Sequence, residues 1–152
     1  MSSPRQRESA IQRRVKAVLA NHGWHVEVLS CNAFQKGIPD LYAFKLTTHS
    51  APYIDGVASS NWACEHHRWI DVKRPKGGTL TKSQVQKWSL WESIGLGVWI
   101  LTGQESNPED VLFGEPNWRD WWKPRYEKYL CNSPADLLRQ MNDEQCDIRD
   151  GD

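Results

Sequence analysis

The segment Ile70-Asp71-Val72-Lys73 constrains the fold more than any other stretch of this 152-residue chain. Side chains alternate along a strand, so Ile70 and Val72 share one face while Asp71 and Lys73 share the other. The apolar pair calls for a core on its side. An acid and a lysine projecting together from a buried strand need a partner or a task, because an unpaired buried charge is costly. A chain of this length supports one domain with a proper core rather than two independent domains.

The remaining sequence supplies the elements around that strand. Ser3-Pro4-Arg5-Gln6 reads as a helix start, with Ser3 as N-cap, Pro4 in the first helical position and Gln6 reaching back. Ile11, Val15, Val18 and Leu19 recur at helical spacing, and Gly23 marks the stop. Glu8 falls at the edge of that apolar face, where a carboxylate is either ion-paired, the commoner outcome, or close to a metal. Trp24–Leu29 predicts a first strand and Leu41-Tyr42-Ala43-Phe44 a second, joined by a loop with Gly37 and Pro39. Thr47–Asn61 is a small-polar insertion with Pro52 and Gly56, expected as a long surface turn. Trp62–Lys73 forms the third strand, with His66-His67-Arg68 at a turn or bulge within it. The basic, flexible loop Arg74-Pro75-Lys76-Gly77-Gly78 follows. Thr81-Lys82-Ser83-Gln84 is a second capping-box pattern, opening a helix through Val85, Trp88 and Trp91 that Gly95 ends. The apolar run Gly97–Leu101 suits a buried strand after that helix. The fold class is α/β, with a mixed central sheet flanked by helices.

Residues 103–152 read as a helical, tryptophan-rich C-terminal extension of the same domain. Trp118, Trp121 and Trp122 precede Pro124, and Ser133-Pro134-Ala135-Asp136 caps a helix leading into Leu137, Leu138 and Met141. An acidic tail, frayed from Cys146, is expected to follow. The tryptophan group can stack on bases, but such clusters are more often core or subunit interface.

Nineteen basic and nineteen acidic residues balance, so no global positive charge announces nucleic acid. The distribution is uneven: Lys73, Arg74, Lys76, Lys82 and Lys87 occur with no acid between them. Beside a site such a run can supply phosphate contacts, and otherwise it is a solvated face. Four scattered cysteines without a C-x-x-C pair suggest neither a zinc knuckle nor a disulfide framework. Adjacent His66 and His67 point to opposite strand faces, with no further ligand to complete a zinc set. No leader or apolar window of membrane-spanning length is evident, which leads us to expect an intracellular, cytoplasmic chain with no membrane partner.

Gly37-Ile38-Pro39-Asp40 presents an acid just after a proline, where the chain enters a strand. Taken alone, a G-x-P-D string or a D-x-K string is unspecific. The ordered set is specific: helix acid Glu8, then Gly37-Ile38-Pro39-Asp40-Leu41, Asp71-Val72-Lys73, Leu80-Thr81 with Gln84, and the closing Gly97–Leu101 strand. It resembles the PD-(D/E)XK nuclease superfamily, most closely its VRR-NUC (virus-type replication-repair nuclease) branch, over roughly Glu8 to Leu101.

That resemblance implies a restriction-endonuclease-like core over residues 1–102, with residues from about 47 to 61 as an insertion. It implies that Asp40 and Asp71 ligate Mg²⁺, with Mn²⁺ able to substitute, and that the Val72 backbone carbonyl is a third oxygen ligand. Hard oxygen ligands suit such ions. Glu8 would lie in the outer shell or at a second metal. The ion would activate the attacking water, and Lys73 would orient it or stabilise charge on the phosphate. Gln84 would touch the site from its helix start, although capping with Thr81 is an equally good role. Asp71 stands where the family often has glutamate, which shifts the metal distance by about a bond length. Arg74, Lys76, Gly77 and Gly78, with Lys82 and Lys87, would contact the DNA backbone.

The activity so implied is structure-specific DNA endonuclease, Holliday-junction resolvase-like and leaving 5′-phosphate ends, in a bacterial or phage-infected cell. Cutting a branched DNA symmetrically calls for a homodimer, and the tryptophan-rich segment is the expected part of its surface. Alternatives are a flap, nicking or restriction-type nuclease of the same fold, a catalytically silent DNA-binding module, or an interaction protein working through its tryptophans.

Overall fold

Proline fixes φ for a first helical turn and lacks only an N–H that the turn leaves unpaired, and helix α1 (Pro4–Asn21) begins on one. The computed structural model describes the backbone of residues 4–29, 36–48, 53–54, 57–58 and 62–149, and the side chains of residues 9–29, 36–47 and 63–142. The expected Ser3 cap and the Gln6 and Glu8 side chains lie outside these. After α1 the chain turns at Gly23, whose φ of 86° is glycine territory.

The main sheet has four strands: β1 (Trp24–Val28), β2 (Leu41–Thr48), β5 (Trp62–Val72) and β6 (Val98–Leu101). They form a mixed sheet in the order β1-β2-β5-β6, antiparallel except for the β5–β6 pair. A parallel pair needs a long crossover, and helix α2 (Lys82–Ser93) supplies it. The insertion differs from the expected surface turn. Strand β2 runs on through Thr47 and Thr48, which pair with Ala63 and Trp62, and a short hairpin of β3 (Tyr53–Ile54) and β4 (Val57–Ala58) follows. Threonine is β-branched, and its fit to a pleated surface prevails over the small-polar character of the stretch. The irregularity in β5 also lies earlier than expected. Lys45 pairs with His66 and Leu46 with Cys64, which leaves Glu65 as the extra residue.

Each sheet face buries its own cluster. Val15, Leu19, Trp24, Leu41, Ala43, Ile70, Val72 and Leu101 pack on the α1 side. Leu80, Val85, Trp88, Val98, Ile100, Trp118 and Tyr126 pack on the α2 side. The C-terminal third is thus part of the core. Trp118, 1% exposed, meets Trp88 edge-on at 6.0 Å between ring centroids, a geometry worth about 1 kcal/mol beyond burial. Trp118 is therefore not available to the dimer surface expected of its segment, and Trp121 and Trp122 are half-buried against the same cluster.

Helix α3 (Pro108–Leu112) was not anticipated, although Asn107-Pro108 is a cap signature: the Asn107 side chain accepts the Glu109 N–H at 3.1 Å. Helix α4 (Pro134–Arg149) is capped by Ser133 as expected, and it runs past Cys146, where fraying was expected to begin, as far as Arg149. Gln86 on α2 donates to Gln140, which donates in turn to the Leu130 carbonyl, tying α4 to α2. Among the described residues, no helix is long and apolar enough to cross a membrane.

Candidate active site

The end of β5 brings Asp71 and Lys73 onto the α2 side of the sheet, and Lys73 Nζ lies 3.0 Å from Asp71 Oδ2. Asp71 is 1% exposed. The start of β2 contributes Asp40. Its Oδ2 accepts the Val72 N–H at 3.0 Å, and its carbonyl accepts the Leu29 N–H at 2.8 Å. Helix α2 contributes Gln84. Its Oε1 accepts both the Thr81 N–H of the capping box, at 3.0 Å, and Lys73 Nζ, at 2.9 Å. Its Nε2 lies 3.4 and 3.5 Å from the Asp71 oxygens, the long limit of a hydrogen bond. Both readings of Gln84 therefore hold at once, because a carbonyl oxygen has two lone pairs.

A close approach of backbone to backbone sets the distance between the Asp40 loop and α2. A Cβ on Gly37 would sit 2.5 Å from the Ser83 carbonyl oxygen, and its φ is 82°. Trp88 Nε1–H donates to the Gly37 carbonyl at 2.8 Å from one turn along α2. The same indole lies under Lys73, with Nζ 5.9 Å from its ring centroid. Trp88 was missed as a site residue. Its position four residues after Gln84, on the same helix face, was the available signal.

Burial and the neighbouring Asp40 charge push the Asp71 carboxyl up to about 7, against the pull of Lys73. Asp40 is also raised, by burial, with the Val72 N–H and Lys73 opposing. Two desolvated carboxyls in one site cannot both ionise cheaply, and they titrate as a pair. A divalent cation between them would offset the same cost. The donor set fits one. In a strand, the N–H and C=O of one residue point to the same edge, so the Val72 carbonyl faces the Asp40 side. Among the described residues, no three of His, Cys, Asp and Glu gather in one place. Two carboxylates with one backbone oxygen leave room for several waters, as Mg²⁺ prefers.

The other expected residues are dispersed. Glu8 lies in α1, and its side chain is outside the described set. The loop from Arg74 to Gly78 leaves the site directly after Lys73, with Lys76 exposed and Arg74 half-buried. Gly77 has φ 77°. At Gly78 a Cβ would come within 2.9 Å of the Arg74 carbonyl oxygen and 3.1 Å of Lys73 Cβ, so the turn is tight against the site. Tyr126 Oη accepts the Leu80 N–H at 3.1 Å and anchors the loop's far end. Lys82 Nζ lies over the Tyr129 ring at 5.2 Å. Lys87 is half-buried, and burial lowers its pKa. Five residues apart, these two lysines point about 140° apart around α2 and do not extend one basic strip.

No protein-family model, no curated protein and no solved structure matches this chain.

Proposed function

We propose that this chain is a divalent-metal-dependent DNA endonuclease with a restriction-endonuclease-like core, of the VRR-NUC type, acting on branched DNA in the manner of a Holliday-junction resolvase. The supporting observation is the meeting of Asp40, Asp71, Lys73 and Gln84, drawn from two strands and a helix, at one end of the sheet. The preference for branched DNA follows from the sequence resemblance.

Asp40, Asp71 and the Val72 carbonyl would hold Mg²⁺ or Mn²⁺. When bound, the ion supplies Lewis acidity and lowers the pKa of a water. Lys73 stabilises negative charge as it develops on the phosphate, and Gln84 fixes the direction of its ammonium. The water oxygen bonds to phosphorus as the P–O3′ bond breaks. The O3′ leaves with a proton, and the cut ends are 5′-phosphate and 3′-hydroxyl.

A panel of labelled junction, flap, splayed and linear DNAs, incubated with Mg²⁺ or with chelator, tests this. Junctions should be cut with Mg²⁺ alone, and Asp71→Ala should abolish cutting while DNA binding in Ca²⁺ persists. Equal cutting of linear duplex would remove the structure-specific part. Inactivity of the parent chain across metals, with binding intact, would favour a silent DNA-binding module.

A further inference from the structure

The sheet face that ends in Asp71 and Lys73 carries aromatic rings beyond the part that α2 covers, toward β2 and β1. Alternation along β5 puts His67 and Trp69 on the same face as Asp71. Pairing across β2 and β1 adds Tyr42 opposite Trp69, Phe44 opposite His67, and His25 opposite Phe44. The rings form a ladder. Centroid distances are 4.7 Å for His25–Phe44, 6.2 Å for Phe44–Tyr42, 4.9 Å for Tyr42–Trp69 and 5.4 Å for Trp69–Trp91 of α2. His25 and His67 are exposed, and Tyr42, Phe44 and Trp69 are half-buried. The core on this side, with Val98, Ile100 and α2, lies toward β6.

Charge says what such a strip can hold. Its described positions include no lysine or arginine, and Glu27, bonded to His25 at 2.6 Å, adds an acid. The strip is thus poor at holding phosphates, while Arg74 and Lys76 follow Lys73 beyond the site. Trp69 stands two residues from Asp71, about 6.7 Å along the strand, so a ligand on the rings reaches the candidate site. A duplex hides its base faces, whereas unpaired bases stack on aromatic side chains irrespective of sequence.

We infer that this strip is a stacking platform for unpaired bases next to the scissile phosphate, whether opened at the branch point of a junction or carried on a single-stranded arm. The inference rests on the proposed nuclease reading and refines its substrate class.

The probe is a splayed duplex whose oligothymidine arm carries 5-iodouracil, bound in Ca²⁺ and irradiated, with cross-links mapped by mass spectrometry. Cross-links should fall on Tyr42, Phe44 or His25. The double variant Tyr42→Ala/Phe44→Ala should bind the splayed duplex about tenfold more weakly while fully paired duplex affinity is unchanged. Cross-links found only elsewhere on the unaltered chain would overturn the inference, even if the variant fails to fold. So would an unchanged arm affinity in the folded variant, or a homodimer that the variant dissociates. Stacking without cleavage in Mg²⁺ would sink the nuclease reading and leave the platform. Cleavage without stacking would do the reverse, and absence of DNA binding would end both.

Discussion

Asp40 accepts the Val72 N–H at 3.0 Å, so a carboxylate continues the β2–β5 ladder one step past its last main-chain pair, Leu41 with Ile70. A side chain with a structural bond of this kind is held in direction before any ligand arrives. The same bond brings Asp40 against Asp71, and the cost of that closeness appears in both raised pKa values.

Asp40→Asn and Asp40→Ala should separate the two roles. Asparagine keeps an acceptor oxygen for Val72 and removes the like charge, so its urea midpoint should match or exceed the parent's. Alanine leaves the Val72 N–H unpaired and should cost about 1–2 kcal/mol. Both should lose metal-dependent cleavage; a parental rate in Asp40→Asn would remove Asp40 from the ligand set.

The Asp71 carboxyl gives stability a pH dependence in metal-free buffer. Its folded value of about 7 lies above the ordinary 3.8, so between these the folded chain binds a proton the unfolded chain has lost. Stability should therefore fall as pH rises through that window, by on the order of a few kcal/mol, and level off above it. Urea midpoints at acid and alkaline pH in chelator measure this. Asp71→Asn should flatten the profile and be the more stable protein at alkaline pH, and Mg²⁺ should restore the parent there. A profile unchanged by the substitution would show that other groups carry it.

Gly37 and Gly95 both have positive φ, but only Gly37 is crowded. Gly95→Ala should cost about 1 kcal/mol from its left-handed backbone alone. Gly37→Ala adds a clash with Ser83, which shifts the Asp40 loop from α2, and should cost about 2 kcal/mol or more. Its cleavage rate should fall at least tenfold where Gly95→Ala stays near parental. Equal effects would mean that the Gly37 approach does not position Asp40.

Glu109 ties α3 to the turn after α1 through His22 at 3.0 Å and to β2 through Lys45 at 2.9 Å. Burial alone would raise its pKa, but hydrogen bonds from Lys45 and His22 outweigh it and hold the carboxyl below its ordinary value. A depressed acid stabilises the fold above its unfolded pKa and loses that contribution as pH falls through the folded one. Glu109→Gln should destabilise by about 1 kcal/mol at neutral pH, with the gap to the parent closing in acid. A gap independent of pH would assign the effect to packing.

Local rules made much of this chain legible from its sequence. Strand alternation assigned Asp71 and Lys73 to one face, and the Thr81–Gln84 spacing marked a helix start, because both depend on backbone geometry over a few residues. The Ser133 cap and the buried β6 run were readable for the same reason. What only the tertiary structure decided depends on residues distant in sequence. The Gln84 oxygen is shared between its own helix cap and Lys73, Gly37 packs on Ser83 under the Trp88 hydrogen bond, and Trp118 is in the core rather than on the surface. The pairing of β2 with β5 turned alternate residues of two unremarkable strands into a ring ladder ending at the carboxylates. Periodicity reports which face a side chain takes. Only close packing across the sheet decides what else shares that face.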